Sequence, residues 1–161
     1  MNTTATMARA TTERAPAPDR EYRNHIGGEW IAGSAGSYGI VNPATGARFV
    51  TLARSGQYNG LTFHRGIPAF IVQGGSPGAN EYSGAGPFLR DEIGLEPHVR
   101  GAASISTRGR DTGDAQIWFN LVDNPRLDHD YTVFGRVSAG ADVLDRILEC
   151  DLIERITILA K

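Results

Sequence analysis

The sequence predicts a mainly β protein, and three observations carry that reading. The 161 residues include 20 glycines, which favour many turns and therefore short strands. Apolar residues come in short runs bounded by Gly, Pro, Asn or Asp, over residues 61–64, 70–73, 102–106, 117–121 and 131–137. Apolar spacing of helical type occurs in two places, ending at Gly56 and over residues 142–148.

Composition narrows the rest. Hydrophobic content of 40% and charged content of 21% suit one soluble globular domain with a tail. A net charge of -2 gives no reason to expect nucleic acid as a partner. Cys150 is the single cysteine, so no intrachain disulfide forms and a reducing, cytoplasmic setting is expected. No apolar run reaches the roughly 18 residues of a membrane span, and the N-terminus lacks the apolar core of a secretory signal.

Taken in order, residues 1–20 are Ala, Thr, Arg and Pro and are expected to be a disordered tail. Residues 21–47 form a separate segment. Within it, residues 25–33 and 38–43 read as two strands of a hairpin, with Trp30 expected to be buried if they complete the sheet. Residues 48–161 form the main domain. Phe49, Leu52 and Ala53 share a helical face, and Gly56 is placed to stop that helix. Residues 74–90 are a Gly/Pro-rich loop without the Gly-Lys-Ser/Thr of a phosphate loop. Ile156 and Ile158 lie on a closing strand.

Few groupings suggest chemistry. Asp111-Thr112-Gly113 is the triplet of aspartic proteases, but Arg108-Gly109-Arg110 precedes it where an apolar strand would be needed, and it reads as a turn. Asp128-His129-Asp130 would diverge in an extended segment, so no metal site is expected. Cys150 follows the second helix and reads as a small packed hydrophobe. The densest stretch is residues 63–75, FHRGIPAFIVQGG. Two short strands flank Pro68, with Arg65 between apolar neighbours. Alternation puts Ile71 and Gln73 on one face and Phe70 and Val72 on the other. By pattern alone this is either a functional strand or an edge strand with a snorkelling Arg and a solvated Gln.

The motif Phe63-His64-Arg65-x-Ile67-Pro68-x-Phe70-x-x-Gln73-Gly74-Gly75 resembles the signature of the cyclophilins, peptidyl-prolyl cis-trans isomerases. Gln116-Ile117-Trp118-Phe119-Asn120 and the VFG strand at residues 130–137 resemble two further blocks of that family, in the right order. The resemblance covers about residues 49–159 and looks bacterial. It implies a closed antiparallel β-barrel capped by two helices, with the first two strands atypical or missing. It implies an isomerase that needs no cofactor. Its implied partners are proline-containing peptides and unfolded proteins, and it would act as a monomer without nucleic acid or membrane. Arg65 would donate to the prolyl nitrogen, with Gln73 orienting it. Phe70, Ile71, Trp118 and Leu127 would line the proline pocket. Gln116 and Tyr131 would line the groove, and Ser106 and Thr107 would meet the peptide main chain. Asp91-Glu92-Ile93 resembles an acidic strand start that the fold uses structurally.

Several positions depart from the family pattern. Ile71 replaces Met, Trp118 replaces Phe, Thr107 replaces Asn, Tyr131 replaces His, and Gly66 replaces a branched aliphatic. A catalytically weak module that binds Pro-containing peptides is the alternative reading. Residues 22–46, with Gly28-Glu29-Trp30 and Asn42-Pro43-Ala44-Thr45-Gly46, resemble the N-terminal hairpin of aldehyde dehydrogenases. The dinucleotide fold and catalytic cysteine region of that family have no counterpart, so no dehydrogenase activity is implied. Arg126 falls at the loop position where eukaryotic cyclophilins often carry the Trp that binds cyclosporin. Weak inhibition by cyclosporin is therefore expected, with Arg126→Trp tightening it; nanomolar inhibition of the wild type would contradict this.

Overall fold

The computed structural model describes residues 4–8, 23–26, 29–32, 36–40, 43–84 and 86–159, with side chains from residue 44 onward. It is mainly antiparallel β. The strands are β1 (Thr4–Ala8), β2 (Arg23–Ile26), β3 (Glu29–Ala32), β4 (Gly36–Ile40), β5 (Leu61–Thr62), β6 (Arg65–Ile67), β7 (Ile71–Gly74), β8 (Ala102–Ile105), β9 (Ile117–Asn120), β10 (Val133–Ala139), β11 (Leu152–Ile153) and β12 (Arg155–Leu159). Eight of them form one sheet in the order β12-β1-β4-β10-β8-β9-β7-β6, while β11 pairs with β5 and β2 with β3. Among the described residues there is one α-helix, α1 (Pro43–Arg54), which packs on β12 and β10.

The N-terminal segments differ from the sequence expectation in three ways. Thr4–Ala8, inside the expected disordered tail, forms β1 and pairs with both β12 and β4. The expected partners, residues 25–33 and 38–43, do not pair with each other. The hairpin is instead β2 with β3, and β4 crosses into the main sheet between β1 and β10. Backbone pairing needs few apolar side chains, so the strand was not visible in composition. The burial expected of Trp30 lies outside the described side chains.

The helix also begins earlier than expected, at Pro43, and so runs across the boundary drawn at residue 47. Proline suits a first helical position because its missing N–H would be unpaired there anyway. The first turn contains no acidic residue of its own. Glu92 supplies the charge from elsewhere: its carboxylate accepts the Ala44 amide at 3.2 Å and the Thr45 amide at 2.6 Å. That satisfies two orphan donors and complements the helix dipole. Residues 91–93, read as a strand start, have no strand conformation and serve instead as this cap. At the other end Gln57 N–H donates to Leu52 O and Gly56 N–H to Ala53 O, with Gly56 at φ 77°. This is a Schellman stop, which requires the left-handed conformation that glycine adopts freely.

The core lies between α1 and the sheet. Phe49, Tyr58 and Phe134 are fully buried, with ring centroids 5.4 and 5.1 Å from Phe49 to its two neighbours. Burial pushes the Tyr58 hydroxyl well above its ordinary pKa. The second helix is a 3₁₀ helix, Ala141–Arg146, that buries Leu144 alone. Its i, i+3 register can present only a narrow apolar stripe. Cys150, expected to pack, is exposed on a turn with φ 72°. Asp111-Thr112-Gly113 is a turn, in which Asp111 and Asp91 exchange amide-to-carboxylate hydrogen bonds.

Removing residues 1–41 deletes β1 and β4 and strips β12 and one edge of β10 of their backbone partners. That deletion should abolish soluble expression, since unpaired edges and wet core cost more than a domain's usual margin. A soluble truncated protein with an unchanged melting temperature would contradict this role for the N-terminal strands.

Candidate active site

Register assembles the site. Arg65 on β6 pairs with Gln73 on β7, and Gln73 pairs with Trp118 on β9. Directly opposed residues of antiparallel strands share a face, so the three side chains stand in a row. Ile71, two residues before Gln73, shares that face. Val72 pairs with Phe119 and points into the core instead. Over this row lies a cleft of about 310 Å³.

Every expected site residue except Gln116 lines the cleft: Arg65, Phe70, Ile71, Gln73, Ser106, Thr107, Trp118, Leu127 and Tyr131. Phe70 reaches it by a route that alternation does not give. It closes a turn with Ala69 at φ 55°, which breaks the strand period and turns the ring to the cleft side. Ser106 and Thr107 lie just past the end of β8, and the Ser106 amide already donates to Gln116 O at 2.9 Å. Gln116, expected in the groove, is fully buried behind it.

A chain of amides fixes the guanidinium. Arg65 Nη1 donates to Gln73 Oε1 at 3.1 Å. Gln73 Nε2 donates to Ser106 Oγ at 3.1 Å and to Gln116 Oε1 at 2.9 Å. Gln116 Nε2 in turn donates to the carbonyls of Glu81 and Ser83 at 3.2 and 2.7 Å. The buried Gln73 amide thus has both ends satisfied, and its orientation sets that of Arg65.

The apolar side is fixed just as firmly. Trp118 donates its indole N–H to Ile105 O at 3.2 Å. Behind it the His98 ring stacks at 5.3 Å with an interplanar angle of 11°, and Tyr131 meets it edge-on at 5.8 Å. Asp128 accepts both the His98 amide and Nδ1–H, at 2.8 and 3.0 Å. Asp128 therefore anchors an imidazole here. Asn124 Nδ2 donates to Asn120 Oδ1, Phe70 O and Val122 O, tying the Phe70 turn to the 3₁₀ turn Pro125–Leu127 that carries Leu127. Arg126 lies over the Phe70 ring at 4.4 Å, a cation–π contact on the rim.

Sequence reading missed three lining residues: Glu81, Tyr82 and Arg108. Glu81 Oε1 lies 2.9 Å from Arg65 Nη1. Arg108 is paired with the buried Asp114 at 2.8 Å. Glu81 and Tyr82 sit on the Gly/Pro-rich loop, which has no periodicity to read. The available signal was chemical: Arg65 had no acidic partner in its own stretch, and Glu81 is the one carboxylate in residues 74–90.

Fold and cleft together define a β protein with a peptide-sized groove on one face of its sheet. Solved structures share this architecture. Two structures of a Cryptosporidium parvum cyclophilin-type peptidyl-prolyl cis-trans isomerase superpose with TM-scores of 0.79 (20% identity; 100% of this chain, 99% of that one) and 0.72 (24% identity; 79% and 94%), the latter described in the presence of the dipeptide Ala-Pro. The model of the family described as "Cyclophilin type peptidyl-prolyl cis-trans isomerase/CLD" matches residues 38–159. Among sequence relatives, a peptidyl-prolyl cis-trans isomerase of Helicobacter pylori is 43% identical over 118 residues, 71% of this chain and 72% of its own. Peptidyl-prolyl cis-trans isomerase B of Bacillus subtilis is 36% identical over 123 residues, 75% and 86%. The chain belongs to the cyclophilin-type peptidyl-prolyl cis-trans isomerase family.

Two histidines near the site titrate against the fold. Burial, the largest influence, holds His98 and His64 below the ordinary imidazole value. The unfolded chain therefore takes up those protons first as pH falls below about 6.5. Stability is full above that pH and declines below it. His98→Gln should lower stability at pH 7.5 and make the pH 7 to 5 slope shallower, measured by urea denaturation. An unchanged slope would assign the acid sensitivity elsewhere.

Proposed function

We propose that this cyclophilin-type isomerase accelerates X-Pro bond rotation in peptides and folding proteins with Arg65 as the donor to the prolyl nitrogen. The observation that carries the reading is a guanidinium held by a buried amide on the polar side of a cleft whose other wall is Phe70, Ile71, Trp118 and Leu127. Rotation about an X-Pro amide faces a barrier of about 18–20 kcal/mol because the nitrogen lone pair is conjugated. Uncatalysed exchange takes roughly tens to hundreds of seconds. As the bond twists, conjugation is lost and the nitrogen becomes pyramidal and basic. A donor placed there binds the twisted amide better than either planar form, which is differential transition-state binding. Arg65 is permanently charged and its orientation is fixed in advance.

The remaining roles follow from position. Phe70, Ile71, Trp118 and Leu127 grip the proline ring, and apolar walls exclude the water that would otherwise hydrate the nitrogen. Gln73 positions Arg65. Ser106, Thr107 and Tyr131 face the peptide beside the ring. Gln116 acts at one remove, by fixing Gln73. Substrates are proline-containing peptides and unfolded chains, and the work is protein folding by a monomer in the cytoplasm without a cofactor. The single cysteine and the near-neutral net charge support that setting.

Arg65→Ala should leave circular dichroism unchanged and cut kcat/KM by on the order of 10²-fold, the scale of one lost preorganised donor. Arg65→Lys should recover little of this, because the fork geometry is lost. Exchange spectroscopy on a short Ala-Pro peptide measures both. A folded Arg65→Ala protein of near-full activity would remove Arg65 from the mechanism. A wild type that binds the peptide without speeding its exchange would favour a pure binding module.

A further inference from the structure

Glu81 sits where a carboxylate works against the chemistry just described. Its Oε1 is 2.9 Å from Arg65 Nη1, the same nitrogen that Gln73 holds. A donor committed to a carboxylate is less available to a prolyl nitrogen. Yet the position of Glu81 is built rather than accidental. Its carbonyl accepts Gln116 Nε2 at 3.2 Å and Arg108 Nη1 at 3.4 Å. The two residues after it are tied back: Asn80 Oδ1 accepts the Tyr82 and Ser83 amides at 2.9 and 2.8 Å, and Ser76 Oγ donates to Ser83 O at 2.8 Å. A Cβ on Gly84 would collide with the Asp114 carboxylate, so the loop is seated directly on the Arg108–Asp114 pair. The loop backbone is fixed while the Glu81 side chain, about half exposed, is free to turn.

We infer that Glu81 is a specificity-determining residue: it holds Arg65 until a cationic side chain preceding the proline takes over the carboxylate. The inference rests on the isomerase reading of the cleft. The residue before proline is bonded to the very nitrogen Arg65 must reach, so its side chain is the one nearest the ion pair. A lysine or arginine there draws Glu81 away and leaves Arg65 to donate. A glutamate there adds a second carboxylate beside Glu81 and is repelled. The ion pair is exposed enough to be weak, so its release is within reach of one substrate contact. Other charges around the cleft do not produce this preference. Arg108 is paired with Asp114, and Arg126, over Phe70, would disfavour a basic peptide.

The test compares wild type with Glu81→Gln on peptides Ala-X-Pro-Phe with X as Lys, Ala or Glu, by exchange spectroscopy and, separately, by isothermal titration. Wild type should prefer Lys over Glu by about tenfold in kcat/KM, shrinking in 1 M salt. In Glu81→Gln the ratio should fall to within about threefold, and the neutral peptide should gain up to about fivefold, the range set by an exposed ion pair. A ratio unchanged by Glu81→Gln overturns the inference. So does an equal loss on all three peptides, which would mean that Glu81 merely positions Arg65. If the titrations show the Glu81-dependent charge preference but no peptide exchanges faster, the isomerase reading fails and the selectivity stands.

Discussion

The site depends on the buried side-chain amide of Gln73. An amide has one accepting and one donating end, and burial makes both obligatory. Here the acceptor end takes Arg65 and the donor end is shared by Ser106 and Gln116. Turning the amide over would set an N–H against a guanidinium and a carbonyl against the Gln116 oxygen, so only one orientation is satisfied. A long, flexible arginine at the rim of a cleft would otherwise sample many rotamers. One buried neutral group orients it from behind, while Glu81 meets the same nitrogen from the rim.

The sheet makes that arrangement inexpensive. β7 and β9 are buried on both faces, so the same four-residue strands supply core on one side and cleft on the other. Val72 and Phe119 belong to the core, while Ile71, Gln73 and Trp118 belong to the cleft. Two further ties stabilise the walls. Asn124 joins the turns carrying Phe70 and Leu127, and the Asp128–His98 pair backs Trp118. Each wall is held from behind by polar groups that never face the groove.

What sequence revealed follows from where periodicity operates. Arg65, Gln73 and Trp118 were legible through the motifs they share with a known family. The strand period by itself put only Ile71 and Gln73 on one face and left Arg65 either a donor or a snorkelling edge residue. Alternation alone put Phe70 on the face away from the cleft, because Ala69 takes a positive φ that no pattern announces, whereas the family resemblance placed it in the pocket it does line. Glu81, Tyr82 and Arg108 come from loops, where position is decided by tertiary hydrogen bonds rather than by spacing. Gln116 was given a groove position, whereas its side chain bridges Gln73 to the loop carbonyls from inside. β1 was hidden for a related reason: its pairing with β12 and β4 is made by backbone, and backbone is the same for every residue.

The cap on α1 has a consequence for how this chain becomes a protein. The helix is 12 residues long, a length at which isolated helices are marginal in water. Its stabilising anion stands 47 residues further along the chain than the amide it receives. The helical segment is synthesised before Glu92 is added, with Phe49 and Leu52 still uncovered. Its order therefore arrives together with the sheet, as a non-local event whose cost is the closure of the loop between them.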